Sequence, residues 1–239
     1  MLRRSGSKLI RDSVLPGWAS RPAPAEARPP RPLAPSQLGA DDAPRRPAGA
    51  ARASAIRRGI LLHRLIERLP QVAAESRIET AQRWLEINAR DLAAADRADM
   101  AREACRVLDQ PGWAAIFGPG SLAEAPFSAV IDGGMVVAGT VDRLLVTDES
   151  VLVVDYKTGA QVPAAAEDVA PAYLRQMAAY AAALAIIFPG RRVEAALLYT
   201  AAPRLVALPA DLLAAHKPGF GDAKANLRGP GLEPDDAKP

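Results

Sequence analysis

From Ala55 onward the apolar positions fall into regular periods. Ile56 to Pro70 carries Leu61, Leu62, Leu65, Ile66 and Leu69 at helical spacing, and Pro70 ends the pattern. Ser76 to Asn88 and Leu92 to Leu108 read as two further helices, with Trp84 and Cys105 as core candidates. Asp109-Gln110-Pro111-Gly112 is a turn, and Trp113 to Phe117 is a short apolar piece. The period then shortens to two. Leu122 to Ile131 predicts a strand with Glu124 near its start, and Asp132-Gly133-Gly134 a hairpin turn. Met135 to Val146 is a second strand, and the polar turn Thr147 to Ser150 joins it to a third, Val151 to Lys157. Three consecutive antiparallel strands follow from those two short connections. Gln161 to Pro171 reads as a loop, Ala172 to Phe188 as an alanine-rich helix, and Pro189-Gly190 stops it. Val193 to Thr200 predicts a fourth strand and Leu205 to Leu208 a fifth. The fold expected is α/β: a mixed central sheet entered through an antiparallel meander, with helices on both faces and an N-terminal helical extension.

No such period precedes Ala55. Residues 1–54 are rich in proline, alanine and arginine, with pieces such as Arg28-Pro29-Pro30-Arg31-Pro32 that favour an extended, solvated backbone. They read as a linker or tail without a packed core. The expected division is therefore 1–54 linker, 55–216 folded domain and 217–239 a Gly-, Pro- and Asp-rich flexible tail. The formal net charge of +3 hides an asymmetry: residues 1–58 hold 12 Lys/Arg against 4 Asp/Glu, and the remainder holds 18 against 23. A basic tail suits nucleic acid, and it equally suits a solvated linker. Hydrophobic residues make up 49% of the chain, enough for a core, yet no apolar run reaches the roughly 18 residues a membrane span needs. No apolar segment follows the basic N-terminus, so no secretory signal is expected. The single cysteine, Cys105, excludes an internal disulfide, and a cytoplasmic location is expected.

The candidate chemistry lies on the second and third strands. In Val151-Leu152-Val153-Val154-Asp155-Tyr156-Lys157-Thr158-Gly159, period two puts Asp155 and Lys157 on one face and Tyr156 on the other. A carboxylate beside an ammonium at a strand end can hold a divalent metal and activate water; an edge ion pair accounts for the triplet as well. Asp142 interrupts apolar neighbours, and an isolated buried carboxylate is costly unless it meets a cation. Adjacent strands could bring Asp142 and Asp155 together, and two acidic donors plus phosphate oxygens are how Mg²⁺ is usually held. His63 and Glu67 stand four apart on one face of the first helix, and Tyr173, Gln176 and Tyr180 share a face of the alanine-rich one.

Taken in order, Gly59-x-x-x-His63-x-x-x-Glu67, Glu124-x-Pro126-Phe127, Gly139-x-x-Asp142-Arg143, Asp155-Tyr156-Lys157-Thr158-Gly159 and Gln176-x-x-x-Tyr180 resemble the PD-(D/E)xK nuclease superfamily. The resemblance is to its RecB-like branch, and more narrowly to the C-terminal nuclease domain of AddA, the helicase–nuclease subunit of bacterial double-strand-break repair, in its alphaproteobacterial form. It covers roughly residues 14–208. D-x-K alone is a weak signal; five blocks in register are a strong one. The resemblance implies a restriction-endonuclease-like core and Mg²⁺-dependent deoxyribonuclease activity of the exonuclease kind. It implies His63, Asp142 and Asp155 as metal ligands, Lys157 as the catalytic lysine, and Gln176 and Tyr180 as groups that position DNA and support the lysine. Glu67, Glu124 and Tyr173 are supporting candidates. An imidazole ligand is softer than Mg²⁺ prefers, so Mn²⁺ is expected to serve too. The implied partners are DNA, an AddB-like subunit and a helicase motor.

One departure bears on this. No G-x-x-x-x-G-K-[ST] loop occurs in the chain, so no ATPase or helicase activity is expected of it alone. A fragment, a split subunit and a free-standing nuclease all fit that absence. Two other readings stand beside the nuclease: a catalytically silent module that binds DNA or an AddB-like partner, and a metal hydrolase of small phosphoesters. The lack of a glycine-rich phosphate loop and the Gln176/Tyr180 helix weigh against the last.

Overall fold

The computed structural model describes residues 32–38 and 49–217. The expected tail beyond residue 217 and most of the expected linker lie outside the described residues. Helix α1 (Ala50–Arg68) begins five residues before the predicted change of pattern, because the alanine- and arginine-rich turn ahead of Ala55 continues the helix. Helices α2 (Arg77–Asn88) and α3 (Ala94–Leu108) follow as expected. The apolar piece after the turn is a single helical turn, α4 (Ala114–Phe117).

Five strands make one sheet in the order β1-β2-β3-β4-β5. Strands β1 (Ser121–Ile131), β2 (Met135–Val146) and β3 (Ser150–Lys157) form the predicted antiparallel meander. The turn between β1 and β2 uses Gly133 and Gly134 at φ of 79° and 76°, values a side chain disfavours. Helix α5 (Pro171–Ile187) then crosses over, and β4 (Arg192–Tyr199) pairs parallel to β3. Strand β5 (Arg204–Leu208) closes the sheet antiparallel to β4, and a short helix not anticipated from the pattern, α6 (Ala210–Ala214), follows. The sheet is thus mixed, α/β, with helices on both sides, as expected.

Alternation along the central strands splits the core in two. Val154, Tyr156, Ala196 and Leu198 pack on α1, α2 and α3, against Leu62, Leu65, Ile66, Leu85, Met100 and Ala104. Val151, Val153, Ala195 and Leu197 face the other way, toward Leu174, Met177, Tyr180 and Leu184 of α5. Both sides of β3 and β4 are covered, which is why their sequences are nearly continuous in apolar residues. Trp84 and Cys105, expected in the core, sit at its margin: both are only partly buried, and Trp84 lies under the Arg68 guanidinium at 5.7 Å.

The structure differs from the linker reading at residues 32–38. Leu33 is 2% exposed and Leu38 is 7% exposed. Leu33 exchanges backbone hydrogen bonds with β2, its N–H donating to Val136 O at 2.7 Å and its C=O accepting from Ala138 N at 3.1 Å. A small cluster of Leu33, Leu38, Val137, Ala179 and Ala183 fills the gap between β2 and α5. Composition pointed to a solvated segment; two leucines with a sheet edge in reach outweigh it.

Candidate active site

The site is built where β2 and β3 part. Their ladder runs from Val146↔Val151 to Arg143↔Val154 and stops there. Past that point the backbone N–H of Tyr156 donates to the Asp142 carboxylate at 2.6 Å instead of to a strand carbonyl. The alternation of β2 breaks at the same place. Val141 and Leu144 both face α5, so Asp142 and Arg143 both turn toward α1. Opposite, the β1–β2 pairing passes from Ala123↔Arg143 to Ala125↔Val141 and skips Glu124 across from Asp142. Glu124 has φ of 47°, the one positive value at a non-glycine residue among those described. Left-handed backbone at a glutamate is strained, and strain of this kind collects at functional sites.

These two irregularities place Glu124 and Asp142 beneath His63 of α1. The imidazole Nδ1 lies 3.2 Å from Asp142 Oδ1, and its ring meets the Tyr156 ring edge-on at 5.3 Å. One donor atom from each of His63, Glu124 and Asp142 falls within 4.8 Å of the others. An imidazole and two carboxylates at that separation fit a divalent cation. Electrostatics agree. Burial, and then the Asp142 charge, pushes the Glu124 carboxyl above its usual range. Burial opposes protonation of His63, but the hydrogen bond to Asp142 and the charges of Asp142, Asp155 and Glu124 together hold it above its ordinary value. The pocket wants positive charge.

On the α5 side of the same fork lies a second group. Lys157 Nζ sits 2.7 Å from Asp155 Oδ2, 2.9 Å from Gln176 Oε1 and 3.9 Å from the Tyr173 ring centroid. The Gln176 amide N donates to Asp155 Oδ1 at 2.8 Å and lies 3.0 Å from the Tyr180 hydroxyl, which in turn donates to Thr140 O at 3.3 Å. Burial raises the Asp155 carboxyl above its usual range despite the pull of Lys157, and burial also pushes the Tyr180 hydroxyl up. The charges of Asp142 and His63 act on Asp155, so the two groups share one electrostatic site.

The predicted residues thus gather at the parting of β2 and β3, with two differences. Asp155, expected in the metal set with His63 and Asp142, is bonded by Lys157 and Gln176, and Glu124 stands third in the cluster. Glu67 pairs with Arg64 at 2.8 Å and lies outside that cluster. Arg143 was missed altogether as an individual residue. It is 4% exposed, donates to Tyr156 OH at 3.1 Å and Ile66 O at 3.2 Å, and stacks over Phe117. Its signal in the sequence was the one that marked Asp142: a charge inside an apolar strand. Also unforeseen is Glu103 of α3, buried, which accepts from Thr200 Oγ1 at 2.6 Å and forms a salt bridge with Arg58.

The model of the PD-(D/E)XK nuclease superfamily matches residues 37–226. The chain belongs to this superfamily. The five-stranded sheet flanked by helices is consistent with its restriction-endonuclease-like fold. Membership in the PD-(D/E)XK superfamily points to nuclease activity and so to a nucleic-acid substrate, and its nucleases generally use divalent metals. The described His63, Glu124 and Asp142 form an acidic group able to hold one. A search of curated proteins finds no match. Among solved structures, one described as "Crystal structure of SSO0001" is similar, at 12% identity over 71% of this chain and 84% of that chain, with a TM-score of 0.32. Among the described residues, no helix is long and apolar enough to cross a membrane.

Proposed function

We propose that the chain is a metal-dependent deoxyribonuclease that hydrolyses phosphodiester bonds from DNA ends. The observation that carries this reading is the meeting, at one fork in the sheet, of a D-x-K lysine held by three partners with an imidazole–carboxylate cluster. His63 and Asp142, with Glu124 and Asp155 beside them, would hold Mg²⁺ or Mn²⁺. When bound, the ion supplies a Lewis acid for a phosphate oxygen and a more acidic water. The chain does the rest. The Tyr156 N–H fixes the Asp142 carboxylate. Asp155, Gln176 and the Tyr173 ring fix the Lys157 ammonium. Lys157 orients the attacking water and stabilises charge building on the phosphate. Gln176 and Tyr180 keep the lysine in register.

The test is cleavage of linear single- and double-stranded DNA by the purified chain with Mg²⁺, Mn²⁺ or EDTA, with closed circular DNA as the end-free control. Lys157→Ala and Asp142→Asn are expected to lose about 10²-fold or more of the rate while keeping the wild-type circular dichroism spectrum. Wild-type cleavage by Lys157→Ala overturns the assignment. We further propose that the domain serves as the nuclease part of an AddAB-type helicase–nuclease in double-strand-break repair, with a helicase motor and an AddB-like subunit as partners. Co-purification with an AddB-like protein tests this, and a stable nuclease with no such partner counts against it.

A second reading has one observation in its favour: the Lys157 ammonium is already paired with Asp155 and bonded to Gln176, as in a structural ion pair. A silent DNA- or partner-binding module would bind Mn²⁺ in a calorimeter and turn over no DNA.

A further inference from the structure

Beside the metal-binding cluster lies a cavity of about 520 Å³. Such a volume falls within the ~300–1,000 Å³ range of small-molecule sites. Its floor is the carboxyl ends of the parallel pair, Lys157 of β3 and Tyr199 of β4. One wall is the first half of α1, and another is the start of α5 at Tyr173. A crevice at the carboxyl ends of parallel strands, between helices from opposite faces of the sheet, is where open α/β sheets bind ligands.

The lining has a definite chemistry. Arg52, Arg58 and Lys157 border it, and among the described residues no carboxylate lines it, although Glu103 pairs with Arg58 and Asp155 with Lys157 from behind the wall. Arg52 is exposed, and Arg58 is anchored by the buried Glu103, which holds the guanidinium at the rim. Between the cations, Ala55, Ile56 and the face of Tyr173 that Lys157 Nζ does not cover supply apolar surface, with Ile56 46% exposed. A neighbouring cavity of about 340 Å³ holds the acids Glu124 and Asp142 with His63, and Arg64 also lines it. Ile56 and Gly59 line both, so the two cavities adjoin across one turn of α1. Gly59 lets α1 lie close to the end of β3 at this point: a Cβ there would lie 3.1 Å from Thr158 Oγ1. An acidic chamber and a basic, partly apolar chamber on either side of a glycine suit a ligand with a phosphate at its middle and a flat apolar body at one end.

We infer that the basic cavity seats the unpaired nucleotide next to the phosphate under attack, with its flanking phosphate on Arg52 and Arg58 and its base against Ile56 and Tyr173. Arginines bind phosphate through a planar fork, and bases stack on apolar and aromatic faces without regard to sequence. The identity of the ligand rests on the nuclease reading above; the cavity's charge and shape do not.

The test measures binding of a labelled short oligothymidylate to the full chain by fluorescence anisotropy in EDTA, with cleavage in Mn²⁺ followed in parallel. Arg52→Ala and Ile56→Asp lie on the exposed side of α1 and leave the core intact. Each is expected to weaken binding in EDTA about fivefold or more and to raise KM without lowering kcat comparably. An oligonucleotide carrying abasic residues should bind wild type more weakly and lose its sensitivity to Ile56→Asp while keeping its sensitivity to Arg52→Ala. Unchanged affinity and KM in both variants overturn the inference and leave the nuclease reading standing. Weakened binding in the variants with no cleavage by wild type leaves the nucleotide site standing and removes the nuclease reading. Absence of oligonucleotide binding by wild type in EDTA also overturns the inference.

Discussion

Gln176 shows how much one side chain holds together in this site. Its amide accepts from Lys157 and donates to Asp155, with Tyr180 in reach, and it is 8% exposed. Gln176→Leu keeps the bulk and leaves those buried polar groups short of a partner. The expected cost is about 1–3 kcal/mol of folding stability, read by urea denaturation, and an unchanged midpoint would remove the amide's bridging role. His63 makes a prediction of a different kind. Its pKa is raised in the folded state by its acidic neighbours in spite of burial. A group raised in this way contributes stability that is fully present below its unfolded value of about 6.5 and is lost as the pH climbs through the higher folded value. In EDTA the melting temperature should therefore fall as pH rises above about 6.5, and His63→Gln should flatten that slope. An unchanged slope in the variant would show that the imidazole does not sense those carboxylates. At this scale the sequence was informative where a charge interrupted an apolar run, as at Asp142, and less so where a polar side chain sat on an ordinary helical face. Spacing put His63 and Gln176 on helix faces as candidates, and only the family resemblance gave them roles, because spacing alone gives a face and no destination.

Helix α1 has to be held against the sheet for His63 to reach Asp142. Arg143 does this from β2 by donating to Ile66 O, one turn beyond His63, and to Tyr156 OH, whose ring supports the imidazole. The helix's C-terminal carbonyls carry partial negative charge, so a guanidinium is well placed there. Among the described residues no carboxylate pairs with Arg143 within 4 Å, and the Phe117 face and these carbonyls compensate its burial. Arg143→Met is expected to destabilise the fold by about 2 kcal/mol, the scale of lost hydrogen bonds to a charged group. It should also weaken Mn²⁺ binding severalfold, measured by calorimetry. Destabilisation with wild-type Mn²⁺ affinity would mean that Arg143 supports the core and not the site. All five strands and the long helices were legible as elements, because buried strands and amphipathic helices write their periods into the chain. The break of alternation at Asp142 and Arg143 was not. A period-two pattern carries no mark for two successive residues turning to the same face, and the opposing left-handed Glu124 has no preference for that conformation to betray it.

In the molecule as a whole, the two halves of the core are assembled by different segments, and the first part of the chain joins in. Leu33 lies between β2 and α5 in a segment whose composition suggested no packing at all. Leu33→Ala should cost about 2–3 kcal/mol, within the range for a buried leucine, measured by thermal or urea unfolding of the full chain. A change under about 0.5 kcal/mol, the usual size for a surface substitution, would return the segment to the status of a linker. By itself, the sequence determined the meander, the alanine-rich helix after it, the order of the elements and the placing of acid and lysine on one face of β3. Those features depend on neighbours a few residues apart and on the burial of both faces of a strand, so they are local enough to be written in a pattern. The tertiary structure alone decided the rest: that Leu33 finds an edge of β2, that Glu124 joins His63 and Asp142 while Asp155 turns to Gln176, and that a basic cavity opens beside an acidic one across Gly59. Those outcomes turn on distances between groups tens of residues apart, set by how two packed layers meet at the fork in the sheet, and no run of letters encodes such a distance.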